Sequence, residues 1–442
     1  MSGSKQLSTG DIFALGFMTF AFFLGAGNII FPPLAGQQAG TEFYWAMAGF
    51  LFTAVGLPLV TLLACAKAGG GLPRMTRLLP KQIGIAITLA IFIVIGPAFA
   101  TPRTSLVAFE MGFKPFLGEA ESQSWILLAY SIGFFVVASG LALHRGNLID
   151  YIGKILTPVL ILLLLVLSIT VLVNPQGTAA APSGDYLTQP FTKGFLEGYN
   201  TMDTFGALMF GMLIVDVLHK KEISDTKLQT RYLIFASIIA ASGLAFVYMS
   251  LFYLGVTSSE LAPGAENGGK IFAIYVQALF GGPGKLILAA VVTLACLTTA
   301  VGLISACADY FNKLWQKLSY QAWVVVIAVL CAVVANVGLT QLIAISVPVL
   351  FALYPVAIAL VILNLIVDKL PRPKSAFYLV LSVALLLALI DAVKVTGLVN
   401  KEAFDFAEAL PLFSYGLAWL LPVTVALVIS FFMPKKAEQA AV

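Results

Sequence analysis

Charged side chains make up only 10% of this 442-residue sequence, against roughly a quarter in an ordinary soluble domain, while 60% of it is hydrophobic. Water cannot solvate a surface of that composition, so the solvent for most of the chain is a bilayer. Histidine is almost absent. Only His144 and His219 occur, each beside Arg or Lys at the end of an apolar segment, where a solvated loop side chain is expected and not a ligand. Cys65, Cys296, Cys307 and Cys331 all fall inside apolar segments and none pairs at a C-x-x-C spacing, so they read as small, reduced, structural hydrophobes. There is no H-E-x-x-H and no intramembrane histidine, so neither an enzyme nor a cofactor is expected. The formal charge of +4 says little by itself, and no nucleic-acid partner is expected. A cleavable leader is not expected either, because the first apolar segment follows a single Lys5 and contains Gly25, Gly27, Asn28 and Pro32.

What the chain has in abundance is apolar stretches of roughly 20 residues, each enough to cross about 30 Å of hydrocarbon. Hydropathy, with turn and charge signals as boundaries, places about twelve spans near 11–31, 42–66, 83–111, 124–143, 148–173, 192–218, 230–256, 285–310, 321–337, 341–367, 375–393 and 411–433. No room remains for a separate soluble domain. Lys and Arg in alternate loops sum to 18 on one side and 6 on the other, with Arg103 left inside the third span. The positive excess marks the cytoplasmic side, so both termini are expected there. Two connections on the opposite side are long: 174–191 has a loop composition, and 266–282 holds an apolar run, Ile271 to Phe280, that suits a short surface helix and a lid.

Span one carries Gly25, Gly27 and Asn28 near mid-membrane, where Leu or Val would be ordinary. Two readings stand for the glycines: open backbone lining a cavity, or close helix packing. Span six decides between them. It reads Gly194 to Ala207 with two acids, Glu197 and Asp203, and Asn200 at a depth where ionisable groups are expensive, so it is a second interrupted helix. Each break lies in the first helix of a five-helix block, over 11–173 and 192–367. Five is odd, so the second block starts on the other side and is inverted, a plan of secondary transporters whose site lies between the broken helices. The expected organisation is therefore 1–173, 174–367 and two further helices with a tail over 368–442. An ion channel would favour rings or a symmetric repeat of selectivity residues, whereas these two breaks differ in sequence and charge.

Three segments carry a resemblance: Gly25-Ala26-Gly27-Asn28-Ile29-Ile30-Phe31-Pro32-Pro33, Gly96-Pro97-Ala98-Phe99-Ala100-Thr101-Pro102-Arg103-Thr104, and Gly198-Tyr199-Asn200-Thr201-Met202-Asp203-Thr204. They resemble the branched-chain amino acid:cation symporter family, the BrnQ-type carriers of bacteria, and the likeness runs over essentially the whole chain. The resemblance implies an all-α membrane protein of the LeuT-type fold, in the amino acid, polyamine and organocation superfamily. It also implies uptake of leucine, isoleucine and valine with sodium across the bacterial inner membrane. A related carrier of another neutral amino acid or small apolar solute is the alternative.

A zwitterionic substrate needs a partner for its carboxylate, its ammonium and its apolar side chain. Free N–H groups around Gly25, Ala26 and Gly27 suit the carboxylate, and carbonyls freed between Tyr199, Asn200, Thr201 and Met202 suit the ammonium. Tyr199, Met202 and Phe205 offer apolar walls, or else ordinary helix packing. Asn28 either lends an oxygen to an ion or caps the following half-helix. Asp203 either caps the second half of span six or supplies a charge. Arg103, seven residues before Glu110 on span three, is a gate candidate or a structural partner of carbonyls. For sodium, the family likeness points to Ala295, Thr298 and Thr299 on span eight against the Ala21 and Leu24 carbonyls. The competing reading is that each threonine bonds the carbonyl four residues back.

Overall fold

The computed structural model describes residues 6–117, 124–144, 149–223, 225–399, 410 and 412–434, and every regular element among them is helical. Helices are what apolar segments must form in hydrocarbon, because a helix satisfies its backbone groups within one segment. Among the described residues eight helices are long and apolar enough to cross a bilayer, nine when one bent pair counts as a span, and four shorter apolar helices accompany them. The ends of these apolar runs are set by polar caps. The Asp225 carboxylate accepts from the N–H groups of Lys227 and Leu228 to begin Thr226–Val256, and the Ser319 hydroxyl accepts from Ala322 N–H to begin Tyr320–Ala335.

Most expected spans coincide with helices, and two of these helices are short. The ninth is the 16-residue helix Tyr320–Ala335, a shorter apolar helix. The twelfth, expected over 411–433, is the helix Leu420–Phe431, preceded by a short turn at Phe413–Tyr415. Left-handed backbone at Leu412 and Gly416 interrupts any continuous helix there. The second half of span one and all of span two form one run of helices with no loop between them, Ala26–Ala68, of 43 residues. It turns back at Gly40, whose φ of 50° a side chain would resist. Lys5, Arg145, Lys401, Lys435 and Lys436, which entered the charge count for orientation, lie outside the described residues.

Glycine sets how closely the broken spans approach their neighbours. A Cβ on Gly255 of span seven would stand 2.0 Å from the Pro33 carbonyl oxygen, and one on Gly194 would stand 2.0 Å from that of Ala46. These crossings hold Ala26–Ala39 against span seven and Pro190–Tyr199 against span two by backbone contact. Gly268 does the same for the helix Gly268–Phe280, whose Ile271, Phe272, Tyr275 and Val276 are buried. The expected surface helix is thus packed onto the second half of span one along one face.

Candidate functional site

Helix Thr9–Phe23 ends at Leu24 (ψ 86°), extended Gly25 follows, and a new helix starts at Ala26. The Asn28 side-chain oxygen accepts from Gly25 N–H at 3.0 Å, so Asn28 caps its own half-helix. Span six stops at Tyr199 and restarts at Asp203 with a bend of 42°. Met202 carries the turn in left-handed backbone, φ 64°, unusual for a side chain without a short polar group. A third interruption lies in span three, where Gly96 and Phe99 leave helical geometry beside Pro97.

The two breaks meet. Asn28 Nδ2 donates to both carboxylate oxygens of Asp203 at 2.9 and 2.8 Å, and the Tyr248 hydroxyl of span seven donates to the same carboxylate and accepts from Asn28 Nδ2. All three residues are buried. Asp203 therefore spends its oxygens across helices, and no side-chain bond caps the half-helix it begins. Arg103, also buried, donates from Nη2 to the Asn200 carbonyl at 3.1 Å and lies over the Phe31 ring at 5.3 Å. A Cβ on Gly27 would stand 2.9 Å from that Nη2 and 3.2 Å from the Thr201 backbone, so Gly27 brings the first break close to both. Glu110, on the same span, instead pairs with Lys114 at 3.0 Å.

Between the breaks is a cavity of about 30 Å³, room for a water or two. Of the expected substrate residues, Gly25, Ala26, Gly27, Asn28, Thr201, Met202 and Asp203 line it, together with Arg103 and Thr299. Tyr199 and Asn200 do not. The Tyr199 ring turns to the other face of its helix and stacks on Tyr354 at 4.1 Å, while the Asn200 amide donates to Glu197 at 3.0 Å. Phe205 likewise packs against Tyr354, at 4.5 Å. Larger cavities open on either side: about 660 Å³ by Arg74, Arg77, Lys81 and Lys313, and about 490 Å³ by Glu110, Lys114, Glu266 and Lys270.

The span-eight threonines reach span one. Thr298 and Thr299 hydroxyls each lie 3.1 Å from the Ala21 carbonyl oxygen, one turn before the break. Thr298 also lies 3.0 Å from the carbonyls of Leu294 and Ala295, so the local back-bond exists beside the cross-helix contact. The Leu24 carbonyl receives neither hydroxyl. A Cβ on Gly25 would stand 2.9 Å from Thr299 Oγ1, which brings the break against the same pair.

The family described as Branched-chain amino acid transport protein matches residues 8–437. The chain belongs to this family. The carrier is 49% identical to the Branched-chain amino acid transport system 2 carrier protein of Pseudomonas aeruginosa, over 95% of each chain. It is 41% identical to the Branched-chain amino acid permease BrnQ of Escherichia coli K12, over 98% of each. Its relatives are carriers and permeases, so the chain is a multi-pass membrane transport protein and not an enzyme. Among solved structures, a Na+-coupled sialic acid symporter in a substrate-bound outward-open state superposes with a TM-score of 0.60 at 14% identity, over 96% of this chain and 90% of that one. At that identity the likeness speaks for the fold, which is the LeuT type.

Two residues of this region escaped sequence reasoning. Tyr248 lies in an unbroken apolar helix, where nothing local separates it from a packing tyrosine. Asp391 did carry a signal, an acid inside the apolar run of span eleven. It is 1% exposed.

Proposed function

We propose that the carrier is a sodium-coupled symporter that imports leucine, isoleucine and valine by alternating access. The observation that carries the coupling ion is the convergence of the Thr298 and Thr299 hydroxyls on the Ala21 carbonyl at the first break. Oxygens alone, held in a dry crossing, suit a hard monovalent cation, with Leu24 and Ala295 supplying further carbonyls as the break adjusts. The substrate class follows from the family and from the names of its relatives. Overlap among the three substrates follows from physics, because one methylene in an apolar pocket is worth only about 1–3 kcal/mol.

The cavity between the breaks is too small for leucine, so binding requires the breaks to part. The larger cavities on the two sides are the vestibules this motion connects in turn, and Gly268–Phe280 is the lid of the outer one. In this reading both termini are cytoplasmic, the membrane is the bacterial inner membrane, and 1–173 and 174–367 are inverted repeats followed by two helices in 368–442. A tenfold sodium gradient supplies about 1.4 kcal/mol and 100 mV about 2.3 kcal/mol per charge, enough for a few-hundred-fold accumulation.

Radiolabelled leucine uptake into proteoliposomes, with sodium or choline outside, tests the proposal. Saturable uptake that requires sodium and is competed by isoleucine and valine supports it. Uptake indifferent to choline replacement overturns sodium coupling, and stronger competition by alanine or proline than by isoleucine overturns the substrate assignment.

A further inference from the structure

Arg103 and Asp203 line the same cavity and are close enough to feel each other's charge, yet they are not ion-paired. Arg103 spends Nη2 on the Asn200 carbonyl and leaves Nε without a partner, although the residue is 3% exposed. The Asp203 carboxylate, which also lines the cavity, accepts from Asn28 and Tyr248, neutral donors that do not cancel its charge. Two opposite charges held apart, with no ion pair to either among the described residues, are costly in a membrane interior. That cost is recovered by a ligand carrying the opposite charges at matching ends.

We propose that Arg103 and Asp203 are the two ends of a clamp for an α-amino acid zwitterion, the guanidinium receiving the carboxylate and the Asp203 carboxylate receiving the ammonium. The planar guanidinium fork matches a carboxylate, and the N–H groups of Ala26 and Gly27 at the start of the half-helix add donors beside it. A side chain at Gly27 would press on both the guanidinium and the Thr201 backbone. Phe22, Phe23, Ile95, Phe210 and Leu303 complete the cavity with apolar surface for the remainder of the substrate. Cationic and anionic solutes are refused by the same device, since either leaves one end of the clamp facing its own sign or nothing. The clamp rests on the uptake of a neutral amino acid proposed above.

The test is binding to the purified full chain in sodium chloride, by competition calorimetry, with L-leucine, L-leucinamide (no carboxylate) and 4-methylpentanoate (no ammonium). The wild type is expected to hold each truncated analogue on the order of 100-fold more weakly than leucine. Arg103→Gln is expected to lose about 100-fold for leucine and less than about threefold for leucinamide. Asp203→Asn is expected to lose as much for leucine and little for 4-methylpentanoate. Should Arg103→Gln prove poorly folded on melting, Arg103→Lys, which keeps the charge and loses the fork, is expected to lose about tenfold for leucine only. Equal losses for leucine and leucinamide in a folded Arg103 variant overturn the clamp. If the wild type ignores leucine and binds another neutral amino acid, the substrate assignment fails while the clamp is decided by the same series with that amino acid and its amide.

Discussion

The Asn28 amide nitrogen lies 2.9 and 2.8 Å from the two carboxylate oxygens of Asp203, 175 positions away in the chain. One buried contact thus joins the two interrupted spans at their breaks. Tyr248 closes the group from span seven, so movement of either half-helix must disturb all three residues.

Asp203→Asn and Asp203→Ala are both expected to abolish coupled uptake while inserting normally. Asn presents one acceptor where the carboxylate presents two, and turns an NH₂ toward the Asn28 amide or the Tyr248 hydroxyl. The cost is about 1–3 kcal/mol for a buried group left unsatisfied. Leucine uptake, normalised to membrane protein, measures it. Wild-type uptake by the Asn variant would return Asp203 to a structural role.

Thr298→Val and Thr299→Val remove one hydroxyl each from the contact with Ala21. The sodium concentration for half-maximal uptake is expected to rise roughly tenfold for either, about 1.4 kcal/mol, with Ser variants near wild type. A sodium titration of initial rates reads this. Unchanged sodium dependence in both Val variants would leave these hydroxyls with helix back-bonding alone.

Gly268→Ala places a carbon 1.8 Å from the Ile30 carbonyl oxygen, so Gly268–Phe280 must lift from span one. The expected loss is about 1–3 kcal/mol of stability, seen as a lower melting temperature. Gly282→Ala is the control, since its added carbon meets nothing within 4 Å. Equal melting of the two variants would contradict the packing.

All four native cysteines are buried, so a membrane-impermeant maleimide meets little background. Exposed Lys270, changed to cysteine, is expected to label in intact cells, and exposed Arg77, changed to cysteine, only after permeabilisation. The reverse pattern would invert the proposed orientation.

The breaks themselves were legible, because Gly25, Gly27 and Asn28 in one span and Asn200 and Asp203 in another are residues that lipid-facing helices avoid. Two positions in span six turn their side chains away from the cavity, while the Asn200 carbonyl still accepts from Arg103. A bend of 42° and a left-handed Met202 rotate Tyr199 and Asn200 away from the cavity, and no periodicity computed through a break anticipates that rotation. The third interruption lies beside Pro97 in span three. Arg103 follows it by one helical turn and lines the same cavity as Asp203.

Composition and hydropathy alone determined that the chain is a helical membrane protein, because desolvating a backbone in hydrocarbon leaves few other structures. The resemblance in three short segments carried its family. Only the tertiary structure placed the side chains of Asn28 and Asp203, because whether each bonds within its own half-helix or across to another depends on which helices meet. The Asn28 oxygen took the local bond, to Gly25 N–H, and its nitrogen took the distant one, to Asp203. Tyr248 entered the site for the same reason, since a hydroxyl on an unbroken helix acquires its role from whichever helix crosses it.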